Sequence, residues 1–183
     1  MKLKKQHSNY IARKITNDLI LQPFIEVRKE KSLITEQCER ILNEDIEKEI
    51  KLDDAVTALL EDREDDIEFY NADYRQLFWM TKKRMANEYG VNLNFEDRLS
   101  HIAHNIMDYL YEEDYIHFEV SDNQIKNVIF NSINNFLKGY DEADSLAYEK
   151  IKNYKRKLIP GTEDYDLVFK RLYEEELIKK GLL

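Results

Sequence analysis

Ile11-Ala12-Arg13-Lys14-Ile15-Thr16-Asn17-Asp18-Leu19 and Ile102-Ala103-His104-Asn105-Ile106-Met107-Asp108-Tyr109-Leu110 carry one apolar pattern at two places 91 residues apart. In each, Ile, Ala, Ile and Leu recur at a spacing that gathers them on one side of an α-helix. The same offset carries Ile25 onto Ile116, Ile34 onto Ile125, Asp73-Tyr74 onto Asp164-Tyr165, Phe78 onto Phe169 and Gly90 onto Gly181. Two unrelated amphipathic helices do not produce one offset that holds at both ends of a unit. The chain therefore reads as one unit written twice, over residues 1–90 and 91–183.

Each half reads as a helix, a short extended piece and three further helical stripes. In the second half, Tyr115-Ile116-His117-Phe118-Glu119-Val120 alternates apolar and polar groups as a half-buried strand does. Ser121-Asp122 then offers N-cap oxygens. Ile125, Val128, Ile129, Ile133 and Phe136 form a stripe that Lys138-Gly139 is expected to close. Ala143, Leu146, Ala147, Ile151, Tyr154 and Leu158 make the next, which Pro160-Gly161 breaks. Thr162 caps a last helix in which Tyr165, Val168, Phe169 and Leu172 face inward, and Lys179-Lys180-Gly181 ends it.

The first half follows the same plan. Phe24-Ile25-Glu26-Val27 is its extended piece, and Ser32 can cap the helix of Ile34, Cys38, Ile41 and Leu42. Ala55, Val56, Leu59 and Leu60 come next, then Tyr74, Leu77, Phe78 and Met85. No glycine separates the middle stripes here, so they can run on as one helix. A lone two-stranded ribbon is marginal, so the two extended pieces are expected to pair with each other. The expected fold is all-α or nearly so: two pseudo-equivalent helical repeats about an approximate twofold, with one short two-stranded ribbon. A core below ~100 residues is marginal, so the halves are expected to share one, and single-unit relatives to be homodimers.

Composition agrees with long helices. The 183 residues are 43% hydrophobic and 36% charged, with only four Gly and two Pro to break the backbone. A net charge of −9 sets a field that repels nucleic acid and anionic membrane. Cys38, the single cysteine, lies on an apolar stripe and reads as a buried, inert thiol. The basic start lacks the apolar stretch of a secretory signal, and no run approaches the ~18 apolar residues of a membrane span. A cytoplasmic location is expected.

The second half resembles a bacterial family known as domain of unknown function 507. The resemblance rests on Phe95-Glu96-Asp97-Arg98-Leu99 through His101-Ile102-Ala103-His104, and on Val120-Ser121-Asp122-Asn123. Lys126-Asn127-Val128-Ile129-Phe130 and the run Lys150-Ile151-Lys152-Asn153-Tyr154-Lys155-Arg156-Lys157-Leu158-Ile159-Pro160-Gly161-Thr162 belong to it, as does Arg171-Leu172-Tyr173-Glu174-Glu175-Glu176-Leu177. In the first half Asp73-Tyr74-Arg75, Phe78 and Lys82-Lys83 look like the end of shorter members, though without the Pro-Gly break. The resemblance implies a small helical protein and supplies no catalytic residues.

Arg75, Trp79, Lys82 and Lys83 share one helix face. Cations around an exposed indole suit a protein partner or stacked bases; the alternative is a Trp packed between the halves under lysine stems. Lys150, Lys152, Lys155, Arg156 and Lys157 interleave with Tyr148 and Tyr154, as a phosphate-binding segment or an ordinary basic helix end would. His101, His104 and Asp108 share a face at ligand spacing, opposite the apolar stripe, as either a metal site or a solvated face. Glu61, Asp62, Glu64, Asp65, Asp66 and Glu68 form an acidic run without the glycine of a Ca²⁺ loop. No phosphate loop, nucleophile elbow or paired-cysteine motif occurs, and no cofactor is implied. The function expected is a non-enzymatic interaction or adaptor module with a protein partner. The alternative is a nucleic-acid- or ribosome-associated factor, and a metal-binding protein comes behind both.

Overall fold

The computed structural model describes residues 3–63, 73–154 and 158–182. After a 3₁₀ turn at Lys5–His7, the first half holds α1 (Ser8–Ile20), β1 (Ile25–Val27), α2 (Lys31–Glu61) and α3 (Tyr74–Met85). The second holds α4 (Phe95–Glu112), β2 (Ile116–Phe118), α5 (Asp122–Lys152) and α6 (Glu163–Lys179). The fold is helical with one short two-stranded antiparallel sheet. Both strands, and both long helices α2 and α5, begin and end at positions 91 apart. In the ladder Ile25 faces Phe118, Glu26 faces His117 and Val27 faces Ile116. The central pair, Glu26 and His117, is itself related by that offset.

The stripes quoted first become the centre of the molecule. Ile11, Ile15 and Leu19 of α1 and Leu99, Ile102, Ile106 and Leu110 of α4 are buried in one cluster with Ile34, Cys38 and Leu42 of α2 and Ile125, Ile129 and Ile133 of α5. Both halves thus supply one core. α1 packs on α2 and α5, and α4 packs on the same two helices. Each fully buried Leu or Ile contributes roughly 1.5–3 kcal/mol, which makes this cluster the main source of stability. Burial pushes the Cys38 thiol up to about 12, so it stays protonated and unreactive.

Each long helix has 31 residues and spans ~46 Å at 1.5 Å per residue, far more than the core needs. The C-terminal stretch of α2 carries α3 on Leu52, Val56 and Leu60, against Leu77, Phe78 and Ala86. That of α5 carries α6 on Ala147 and Ile151, against Val168, Phe169 and Leu172.

Side-chain caps mark half of the described α-helix starts. Asp73 Oδ1 accepts from the Arg75 and Gln76 amides, Asn94 Oδ1 from Asp97, and Thr162 Oγ1 from Tyr165. Ser32 is not a cap: α2 already begins at Lys31, after Glu30. Ser121 holds the N-cap position of α5 but makes no side-chain cap. Gly139 does not close its helix. α5 runs through it, because one interior glycine costs only ~1 kcal/mol and Phe136, Leu137, Ala143 and Ala147 on both sides are buried. Among the described residues two helices, not three, therefore follow each strand.

Among the described residues no helix is long and apolar enough to cross a membrane.

Candidate functional site

Asp45, Glu49 and Asp53 stand four residues apart on α2, one above another along its side. Two cations from other helices meet this row. Arg98, in the first turn of α4, gives Nε to Asp45 at 2.6 Å and a terminal nitrogen to Glu49 at 2.5 Å. Lys82 of α3 reaches Glu49 at 3.0 Å and Asp53 at 2.6 Å. Burial alone would raise the Glu49 carboxyl and lower the Lys82 ammonium. The hydrogen bonds from Arg98 and Lys82 outweigh it for Glu49, which sits below the ordinary carboxylate range; those to Asp53 and Glu49 outweigh it for Lys82, which sits above its own. Glu49, Lys82 and Arg98 stay charged, and Glu49 is committed to two cations, which does not suit it to act as a base. The network is a clasp that joins α2, α3 and α4.

Trp79 lies against this clasp. The Lys82 Nζ is 5.5 Å from the centre of its ring, within reach of a cation–π contact. A cleft of about 310 Å³ opens here, lined by apolar Leu3, Phe78, Trp79, Leu93 and Phe95 and by Glu49, Asp53, Lys82 and Arg98 of the clasp. Trp79 is 51% exposed and its neighbour Met80 61%. Neither of the two sequence alternatives for Trp79 describes it fully: one part of the ring covers Lys82 and the rest faces solvent. Arg75 and Lys83 are exposed beside it, but Lys82 is 3% exposed and belongs to the clasp rather than the outer face. The sequence reading names these residues but not the clasp beneath them, although the carboxylate row on α2, next to the stripe of Ile46, Leu52 and Val56, was a visible signal.

The other candidate sets are dispersed. Lys150 ion-pairs with Glu176 of α6, and Lys179 reaches the same carboxylate at 2.8 Å. Hydrogen bonds from Lys150 and then Lys179 pull Glu176 down to about 2. Lys152 lies over the Tyr148 ring at 4.4 Å. Lys155, Arg156 and Lys157 lie outside the described residues, as do Glu64, Asp65, Asp66 and Glu68 of the acidic run. His104 pairs with Asp108 at 3.1 Å, whereas His101 is 3.3 Å from the Asn105 amide. Among the described residues no group of three or more His, Cys, Asp or Glu is gathered to hold a metal ion.

Where α5 meets the chain's start, the joint is aromatic. The His7 ring lies tilted against Tyr140 at 3.9 Å and 6.2 Å from Phe136, and the Tyr173 ring meets Tyr140 edge-on at 5.1 Å. Burial, then Lys4, lowers His7 to about 4, so it is neutral at physiological pH.

These features define a helical protein with a rigidly clasped aromatic face. The chain belongs to the family described as protein of unknown function DUF507, whose pattern matches residues 1–182. Among curated proteins none matches it.

Proposed function

We propose that this chain is a non-enzymatic interaction module that receives a protein partner on the α3 face and works in the cytoplasm without a cofactor. One observation carries the reading: Trp79 and Met80 lie side by side, largely open to solvent, on a helix locked in place by a buried ion-pair clasp. Large exposed apolar groups on a preorganised surface are what a protein interface uses as anchors, since little ordering entropy remains to be lost on binding. The nucleic-acid reading has less support. Lys82 and Lys150 are held by carboxylates, and the chain's net charge of −9 opposes a polyanion. The metal reading has least support: His104 pairs with Asp108, whereas His101 lies against Asn105. We further read the shared 91-residue offset as a tandem duplication about an approximate twofold.

The test is capture from lysate, with and without nuclease, by the wild type and by Trp79→Ala. A nuclease-resistant protein lost with Trp79→Ala supports the reading. Capture that disappears with nuclease, or that ignores Trp79, overturns it.

A further inference from the structure

We infer that the occupant of the α3 face is an acidic amphipathic segment of a partner protein, seated by an apolar side chain on Trp79 and Met80 and by carboxylates on Arg75, Lys83 and Arg84. The inference rests on the interaction reading above and adds the chemistry of the partner.

α3 reads Tyr-Arg-Gln-Leu-Phe-Trp-Met-Thr-Lys-Lys-Arg-Met and is, among the described α-helices, the one with no Asp or Glu. In a chain of net charge −9 that is a local reversal of sign. Residues four apart on a helix stand nearly above one another. Arg75, Trp79 and Lys83 therefore make one outward row, and Gln76, Met80 and Arg84 the next. Each exposed apolar group has a cation beside it. Arg75, Lys83 and Arg84 are exposed and make no ion pair with another described residue, in contrast to Lys82.

The surface continues past Leu93, which lines the Trp79 cleft and also a second depression of about 510 Å³. There Lys83 is joined by the amides of Asn87, Asn92 and Asn94 and by His101. Such groups can donate to carboxylates and to main-chain carbonyls of a segment crossing the groove. An apolar anchor flanked by anions matches this arrangement. A polyanion offers far more charge than three cations can meet and is repelled by the rest of the chain.

Trp79 is the single tryptophan, so its emission reports on the face directly. The full chain is titrated with four probes: a synthetic peptide of Glu with Leu at every fourth position, the same peptide with Lys for Glu, polyglutamate, and single-stranded oligothymidylate. The Glu/Leu peptide is expected to shift the emission to the blue saturably, the others weakly or not at all. The combined Arg75→Glu, Lys83→Glu, Arg84→Glu variant should lose about tenfold in affinity for it with an unchanged melting midpoint. Equal binding of the Lys peptide, binding of oligothymidylate instead, or no shift with any probe overturns the inference. If that variant still captures the Trp79-dependent protein from lysate at full strength, the acidic partner is wrong and the interaction face stands. If Trp79-dependent capture itself is absent, both fall.

Discussion

Replacing Arg98 with Leu tests whether the clasp holds the α3 end of the molecule together. Arg98 is 8% exposed and hydrogen-bonds Asp45 and Glu49, whose side chains are 15% and 12% exposed. The variant leaves two buried carboxylates with only Lys82 to offset one of them. Removing one partner of a buried ion pair costs about 3–5 kcal/mol, because the remaining charge keeps its desolvation penalty. With an unfolding entropy of ~2.1 cal/mol/K per residue, the loss corresponds to a midpoint roughly 8–13 °C lower. The pH dependence separates this cause from simple loss of packing. In the wild type the Glu49 pKa is depressed in the folded state, so its contribution is complete above the unfolded carboxylate value and is lost as pH falls below it. In Arg98→Leu, burial of Glu49 is no longer outweighed, its pKa rises, and acid relieves the defect by protonating it. The gap between variant and wild type should therefore narrow from pH 7 to pH 4 in thermal melts followed by far-UV circular dichroism. A fall of less than ~1 kcal/mol, or a gap that does not change with pH, would refute the reasoning.

Three further outcomes follow from the same geometry. Trp79→Ala should cost only about 2 kcal/mol, since half of a ~200 Å² side chain at ~25 cal/mol/Å² gives roughly 2.5 kcal/mol as an upper bound; a drop of 4 kcal/mol or more in denaturant unfolding would make Trp79 a core residue. His7 is held neutral by burial, with its pKa lowered to about 4, so the unfolded chain binds more protons between that value and 6.5 and stability falls as pH drops through this window; His7→Phe, beside Phe136 and Tyr140, should remove that loss in melts taken across the window. A Cβ on Gly139 would lie 2.7 Å from Leu182 Cδ1, a movable side-chain end, so Gly139→Ala should displace Leu182 and still stabilise by up to ~1 kcal/mol through helix propensity; a net loss in chemical denaturation would mean that Leu182 cannot yield.

Much of the fold was legible because it is written in local spacing. The stripe of Ile102, Ile106 and Leu110 defines a buried side whatever packs against it, and the alternation at Ile116–Phe118 defines a strand. The need of one short strand for another supplied the pairing. Gly139 misled because propensity is a small term beside the burial of Phe136, Leu137 and Ala143. The candidate site was half legible. An exposed indole among cations shows in sequence, but which cation is free does not. Lys82 stands 33 positions from Glu49 in sequence and Arg98 49, and only the packing of α3 and α4 on α2 brings them together. Lys82 and Lys83 look alike in sequence, but the single 100° step between them around the helix decides which is buried.

The offset of 91 makes the clasp more informative than its energy alone. It relates Asp45 to Phe136, Glu49 to Tyr140, Lys82 to Tyr173 and Arg98 to His7. In the clasp Arg98 pairs with Asp45 and Glu49, and Lys82 with Glu49; the counterparts of these four residues form the His7–Phe136–Tyr140–Tyr173 cluster. The same joint, between a long helix and the elements that cover its side, is thus built from ion pairs at one end and from packed aromatic rings at the other. On the duplication reading this is divergence at equivalent positions, and its direction matters. An aromatic joint gains from burial in any orientation that packs well, whereas ion pairs lose most of their value unless charges meet at hydrogen-bond distance. The charged joint therefore fixes the pose of α3 more tightly than stability requires. The helix it fixes is the one that exposes Trp79 and carries no carboxylate, while the position related to Trp79 is Lys170. A demanding joint beneath a single exposed indole is what a binding face needs and what a purely structural arm does not.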